Sequence, residues 1–456
     1  MESSTTGVVI GTFILAIAIY VLISLFKGED KKDEDSSSGT AKKGKDQAEK
    51  PKAASAAAAA GGGKKKLQPA KLKKIDLSSH PCLAADLRGH TAPVLGLSVD
   101  PSGDYLASCS EDRTIRIWYS NDFSTRDHRY HRINVELDHA KSLCFSPDSR
   151  ALVTALDDAQ AIRVFKLNRK KDGTVQGSSV ILDLQKVHSL PILNVAIAST
   201  GKFMLTASSD NKIVIWTPKG DVLESIDTRQ VTTHWAAISP CGRFIASAGF
   251  TSDVKIWEVK FSKSGEFLAV NRAMELKGHT SAVYHFSFSA DSKRMATVSK
   301  DGHFKVWDID VNFELRQDPK LLTDKDHFAQ LGSSSSDPML AAISPDATTV
   351  AVASDRTVSV YRADGTDVNM YGVVHGADIT SLAWHPDSRL LCSAGADKRV
   401  CVWHNLTGMQ ANIEQLTTKI RSTRADTVRT RLQGQLDELK TRVDDIQALR
   451  AVAATA

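Results

Sequence analysis

From residue 87 to residue 404 one sequence unit recurs, and no other feature constrains the fold as strongly. "LRGHTAPVLGLSVDPSGDYLASCSEDRTIRIW" returns as "LKGHTSAVYHFSFSADSKRMATVSKDGHFKVW" at 276–307. It returns again as "VHGADITSLAWHPDSRLLCSAGADKRVCVW" at 374–403 and as "KVHSLPILNVAIASTGKFMLTASSDNKIVIW" at 186–216. Weaker copies end at Phe165, Trp257 and Tyr361, so seven units end at 118, 165, 216, 257, 307, 361 and 403, spaced 41 to 54 apart. Each holds short β-branched or aromatic runs ("YLAS", "TIRIW", "KIVIW") bounded by Asp, Asn or Gly. Turns such as "SVDPSG", "CFSPDS", "AISPCG", "AISPDA" and "AWHPDS" follow an apolar strand. A period of this size with strand-like units predicts a ring of small antiparallel sheets, packed on both faces by their neighbours.

Four units carry one polar set at fixed offsets. His90, Ser108, Asp112 and Trp118 are matched by His188, Thr206, Asp210 and Trp216, by His279, Thr297, Asp301 and Trp307, and by His375, Ser393, Asp397 and Trp403. In every case the His stands 22 residues before the Asp, the hydroxyl 4 before it and the Trp 6 after it. Ser, His and Asp together suggest a hydrolase. Four sets at the same spacing around one ring point instead to structure: an Asp holding a turn, an imidazole that donates and accepts, and an indole N–H that needs an acceptor once buried. The chain carries no phosphate loop, zinc-helix motif or nucleophile elbow, so we expect no enzyme, no cofactor and no metal.

These residues resemble the WD40 family, whose units open near Gly-His and close near Trp-Asp. The resemblance spans 87–404 and implies an all-β, seven-bladed propeller, with each tetrad linked Trp to Ser or Thr, to His, to Asp. It also implies that the residue five after each tetrad His (Leu95, Leu193, Tyr284, Thr380) and the residue before its Asp (Glu111, Ser209, Lys300, Ala396) face the narrower top, where protein partners dock. Three units depart from the pattern. The second keeps Thr154 and Asp158 but lacks the His and ends one residue late in Phe165; the fourth has Thr251 where the Asp belongs; the sixth keeps Asp355 with Ala351 and Tyr361. These blades are expected to hold by packing alone. Residues 70–79, "AKLKKIDLSS", are expected to close the ring as the outer strand of the last blade, within a propeller spanning 75–404.

Outside the ring, Gly7–Phe26 runs 20 residues without a charge, long enough for a hydrocarbon core of roughly 30 Å. No Lys or Arg precedes it, and the small-residue triplet Ala16-Ile17-Ala18 lies mid-run, so an uncleaved anchor is expected rather than a signal peptide. Lys27, Lys31, Lys32, Lys42, Lys43 and Lys45 follow it, which places residues 1–6 in the lumen and the propeller in the cytosol. The six cysteines show no metal or disulfide spacing, in keeping with a reducing compartment. Residues 27–74 are charged and poor in core-forming side chains, as in a disordered tether. Their Lys clusters suit a solvated linker, contact with the membrane's anionic face, or RNA.

Two insertions and a tail remain. The loop 119–132 offers Arg126, Arg129, Tyr130 and Arg132, which suit either a solvated loop or RNA contact. Asp308 to Pro338 is expected to add an outer strand and a loop. Residues 409–452 are expected to form a helix, with Val428, Leu432, Leu436, Leu439, Val443, Ile446 and Leu449 as its stripe. Self-association, a coiled-coil partner and packing on the propeller all remain open for it.

The complete arrangement resembles an endoplasmic-reticulum-anchored group of WD40 proteins. That resemblance implies a single-pass scaffold of the unfolded-protein response, with a stress-sensing kinase and the translation machinery or mRNA as partners. Two other readings stand beside it: an RNA- or ribosome-binding protein, and a guanine-nucleotide exchange propeller in vesicle traffic.

Overall fold

The computed structural model describes residue 77 and residues 80–125, 127–331, 338–423 and 425–455. The expected anchor and linker lie outside the described residues; among those described, no helix is long and apolar enough to cross a membrane.

Seven four-stranded antiparallel sheets make a propeller. Blade one is built of Val94–Val99, Tyr105–Ser110, Thr114–Tyr119 and Tyr130–Asn134, numbered from the centre outward. Blades two to six repeat the pattern, from Ala140–Phe145 to Val368–Val373. Blade seven takes Ile379–Trp384, Leu390–Gly395 and Arg399–His404 from the C-terminal end of the ring. Each inner strand touches the inner strands of both neighbours, the first and seventh included, so the ring is closed.

The closing strand is not the expected 70–79. It is Leu83–Arg88, pairing antiparallel with Arg399–His404, Leu87 opposite Val400 and Asp86 opposite Cys401. The alternation in "LAADLR" explains the choice: Ala85 and Leu87 enter the core between blades seven and one, whereas "AKLKK" offers two apolar side chains among three lysines. Leu77 is instead a buried plug beneath blades six and seven.

The turn between inner and second strands needs a left-handed residue in every blade: Gly103, Ser149, Gly201, Gly242, Ser292, Ala347 and Ser388 all have positive φ. Glycine meets that demand without a Cβ penalty, and in five of the seven blades a Pro-Asp, Pro-Ser or Pro-Cys pair before the left-handed residue sets up the turn. The second and third strands are almost wholly buried, "YLASCS" and "KIVIW" among them, because each sheet lies between two others. Between Asp308 and Pro338 the expected outer strand is Lys320–Asp326, followed by a short helix, His327–Leu331.

The tail is two helices, Leu406–Ser422 and Asp426–Thr455, rather than one. Ser422 and Thr423 hydroxyls both bond back to the Lys419 carbonyl, and Thr423 turns extended, so side chains displace the helical ladder at that point. The first helix is capped by Asn405, fully buried; its Oδ1 accepts from Gly408 N at 2.9 Å while Nδ2 donates to Ser388 O at 2.9 Å and Thr349 Oγ1 at 3.1 Å. Val443 and Ile446 of the second helix join Leu77, Tyr371, Trp403, Leu406 and Met409 in one apolar cluster. The stripe therefore packs on the propeller, with Leu436 buried as well, while Val428 is left exposed.

Candidate functional site

The four complete tetrads form closed, directional hydrogen-bond chains. In blade one, Trp118 Nε1 donates to Ser108 Oγ at 2.9 Å, Ser108 lies 2.8 Å from His90 Nε2, and His90 Nδ1 lies 2.9 Å from Asp112. The other three repeat it. His188, His279 and His375 Nε2 each lie 2.8 Å from Thr206, Thr297 and Ser393, which accept from Trp216, Trp307 and Trp403 at 2.9, 3.0 and 2.9 Å. Their Nδ1 atoms reach Asp210, Asp301 and Asp397 at 3.3, 3.0 and 3.0 Å. The chain is satisfied at every atom with a neutral imidazole: indole N–H to hydroxyl oxygen, hydroxyl proton to Nε2, Nδ1–H to carboxylate.

Each Asp does two further things. One oxygen of Asp112, Asp210, Asp301 and Asp397 accepts the backbone N–H two residues on (Thr114, Lys212, His303, Arg399), across a left-handed residue. A carboxylate oxygen also accepts the N–H after the His (Thr91, Ser189, Thr280, Gly376). The carboxylate thereby pins the turn between the second and third strands to the loop entering the blade. Burial alone would raise these carboxyls, but the hydrogen bonds outweigh it and hold all four below the ordinary carboxylate range. Burial pushes His90 and His188 down in spite of their Asp partners.

In connectivity this is a Ser–His–Asp hydrolase triad. Accessibility separates the two: Ser108 and Ser393 are 0% exposed, and each hydroxyl already holds an indole N–H. A nucleophile needs an open face for its carbonyl. None is left here.

The three departing blades do not rely on packing alone. In blade four Gln230 takes the place of the His: Ser247 Oγ donates to its Oε1 at 2.6 Å, and its Nε2 reaches Ser247 O and Asp253 O. In blade six Ala351 has no hydroxyl, and Tyr361 supplies one itself, 2.6 Å from buried His327 Nδ1. In blade two Asp138 is the clamp, accepting from Asp158 N and Ala159 N, while Thr154 donates to Arg163 O. Gln230 stands 17 residues before Ser247, one short of the usual 18, a signal the sequence did offer. His327 follows an insertion that hides its register.

Asp138, His139 and Asp158 bring one potential metal-ligand atom each within 4.8 Å of one another, yet both oxygens of Asp138 already hold backbone N–H groups. All six cysteines are free thiols, and burial pushes Cys109 and Cys392 up to about 12.

Of the residues assigned to the top face, Leu95, Leu193 and Thr380 line the central channel, a cavity of about 470 Å³. Thr380 Oγ1 bonds Val94 O and Ala394 O, at 2.6 and 3.2 Å. Tyr284 lies tilted against His234, the ring centroids 5.6 Å apart. Glu111 and Lys300 are exposed, Ser209 and Ala396 half-buried. The channel wall adds residues that sequence reasoning missed: Trp235 packs at a tilt on His285, centroids 4.3 Å apart, and burial brings His285 down to about 4. They lie on inner strands, where an aromatic reads as ordinary core.

The basic loop is largely self-neutralised. Arg129 forms a two-pronged pair with Asp122 at 2.9 and 3.1 Å, and Tyr130 stacks over the Arg116 guanidinium at 4.3 Å. Arg132 is exposed, and Arg126 lies outside the described residues.

The family model for the WD domain, G-beta repeat, matches residues 81–119, 181–217, 271–308 and 370–404, the four blades with complete tetrads. The chain is 43% identical over 373 residues to human transducin beta-like protein 2, covering 82% of this chain and 83% of that one. The mouse protein of the same name is 42% identical with the same coverage. Human apoptotic protease-activating factor 1 is 21% identical over 71% of this chain and 27% of its own length.

Proposed function

Because the chain belongs to the family of transducin beta-like protein 2, within the WD40 propellers, we propose that it is a non-catalytic, membrane-tethered scaffold of the endoplasmic reticulum. One observation carries this reading: the polar groups that resemble catalytic machinery are buried and committed to holding blades together, which leaves only surfaces to act with. Tethering to a bilayer raises the effective concentration of whatever those surfaces hold. The uncharged stretch 7–26 and the lysines after it support an anchor with the propeller in the cytosol. The resemblance of the whole arrangement supports a stress-sensing kinase and the translation machinery as partners.

The test begins with topology. The acceptor sequence Asn405-Leu406-Thr407 is a poor reporter, because Asn405 is 0% exposed and caps a helix. Asp172→Asn places an Asn-Gly-Thr acceptor on an exposed turn of blade two while keeping the side-chain oxygen that accepts from Thr174. Expressed in cells beside a chain with an acceptor added before Met1, it should stay unglycosylated while the front site is modified. Modification at residue 172 would place the propeller in the lumen and overturn the cytosolic partners. Recovery of the stress-sensing kinase with the full chain under unfolded-protein stress tests the finer assignment; its absence would overturn the kinase and leave the scaffold.

A further inference from the structure

Four blades carry a basic residue two positions before the third-strand aromatic: Arg116, Arg163, Lys255 and Lys305. In three of them the outer strand sets an acid directly opposite, Asp183 across from Arg163, Glu275 across from Lys255 and Asp324 across from Lys305, although Lys255 Nζ donates to Thr228 O and Glu275 pairs with Arg272 and Lys277. Arg163 grips Asp183 through two hydrogen bonds, at 2.7 and 2.9 Å, and Lys305 is ion-paired to Asp324. In blade one the opposite residue is Arg132.

Like charges directly opposite on neighbouring strands repel, their Cβ atoms only about 5 Å apart. Arg116 is 5% exposed, so water screens it little. Its Nη2 donates to Gly89 O at 2.6 Å, but Nε and Nη1 are buried without a hydrogen-bond partner among the described residues. The faces of Tyr130 and Trp118 lie against the guanidinium, 4.3 and 5.9 Å from their centroids. Arg132 is exposed and makes no ion pair among the described residues. Blade one therefore holds two cations where its sisters hold a cation and a carboxylate.

We propose that Arg132, over Arg116 and beside Tyr130, is a docking site for an acidic side chain of a partner protein, which supplies in trans the carboxylate that blades two and five carry in cis. A guanidinium matches a carboxylate through two parallel hydrogen bonds, as Arg163 and Asp183 already show. The buried charge of Arg116 strengthens the attraction and orders Tyr130 as the wall of the site. Only the class of occupant rests on the scaffold reading; the charge imbalance stands without it.

The experiment uses the full chain in neutral detergent, with fluorescein-labelled decaglutamate and labelled decauridylate as probes in anisotropy titrations. Arg132→Asp installs the acid of the sister blades. It should weaken decaglutamate binding by about tenfold or more and raise Tm, because an internal Arg–Asp pair replaces a repulsion. Lys219→Asp makes the same charge change on an exposed turn of blade three and should leave both nearly unchanged. Equal weakening by both variants, retained binding in Arg132→Asp, or a fall in its Tm would overturn the proposal. Binding of decauridylate alone, lost in Arg132→Asp, would assign the site to a phosphate backbone and overturn the protein carboxylate.

Discussion

Replacing Thr206 by Val exchanges one hydroxyl for a methyl at nearly constant volume, in the middle of a tetrad that is fully buried at that position. The hydroxyl accepts from Trp216 Nε1 at 2.9 Å and meets His188 Nε2 at 2.8 Å. Its loss leaves an indole N–H and an imidazole nitrogen buried without partners, each at about 1–3 kcal/mol, so about 4 kcal/mol in all. Thr154→Val in blade two removes a hydroxyl that donates to the Arg163 carbonyl at 3.0 Å, its one bond among the described residues, and should lose only about 1 kcal/mol. With unfolding entropy near 2.1 cal/mol/K per residue over roughly 330 residues, these losses lower Tm by about 6 °C and 1.5 °C. Thr206→Ser, which keeps the hydroxyl that blades one and seven use, should stay close to the parent. Scanning calorimetry decides it: equal shifts for Thr206→Val and Thr154→Val would refute the view that the shared hydroxyl is the keystone of the blade.

Tyr361→Phe removes the hydroxyl facing His327 in blade six and should destabilise by about 1–3 kcal/mol, measured by urea denaturation; no change would mean that packing alone holds this blade. Asn405→Ala loses the helix cap and both lateral bonds of its amide, so limited proteolysis should release residues 406–455 early while the propeller resists. Acid should weaken the fold from near pH 6.5 downward. His90, His188 and His404 are pushed down by burial, and His285 and His327 reach about 4, so the stability these groups contribute is complete above the unfolded value near 6.5 and lost as pH falls. The lowered tetrad carboxyls extend the loss below pH 4. His385, raised because Asp387 outweighs its burial, acts the other way, and a Tm that climbs between pH 7 and 5 would show that its sign prevails.

Much of the ring was legible because its signals are local and repeated. The tetrad spacing of 22, 4 and 6 survives four times, and the αL residue between inner and second strands is either a Gly or directly follows an Asp, so strand ends could be placed without tertiary information. The closing strand was missed because choosing between 70–79 and Leu83–Arg88 depends on which segment's alternation meets Val400 and Cys401, more than 300 residues away. Gln230 and His327 were missed for a related reason. A substitute donor is recognised by where it lies against Ser247 or Tyr361, and an insertion or a one-residue slip conceals that position.

The C-terminal stripe shows the limit most plainly. Its apolar period identified a helix, but an amphipathic face states only that something covers it. Leu77, Tyr371 and Trp403 turn out to be that cover, brought together from two ends of the chain. The same holds for the arginines of the 119–132 loop, whose charge could be counted but whose counter-ions could not: Asp122 answers Arg129, while Arg132 faces Arg116. Seven blades, their tetrads and a helical tail can be read along the chain, because hydrogen-bonded turns and strand periods are encoded within a few tens of residues. Which strand closes the ring, what covers the tail and which charges stay unanswered emerge only on folding, because burial and ion pairing depend on neighbours that lie far apart along the chain.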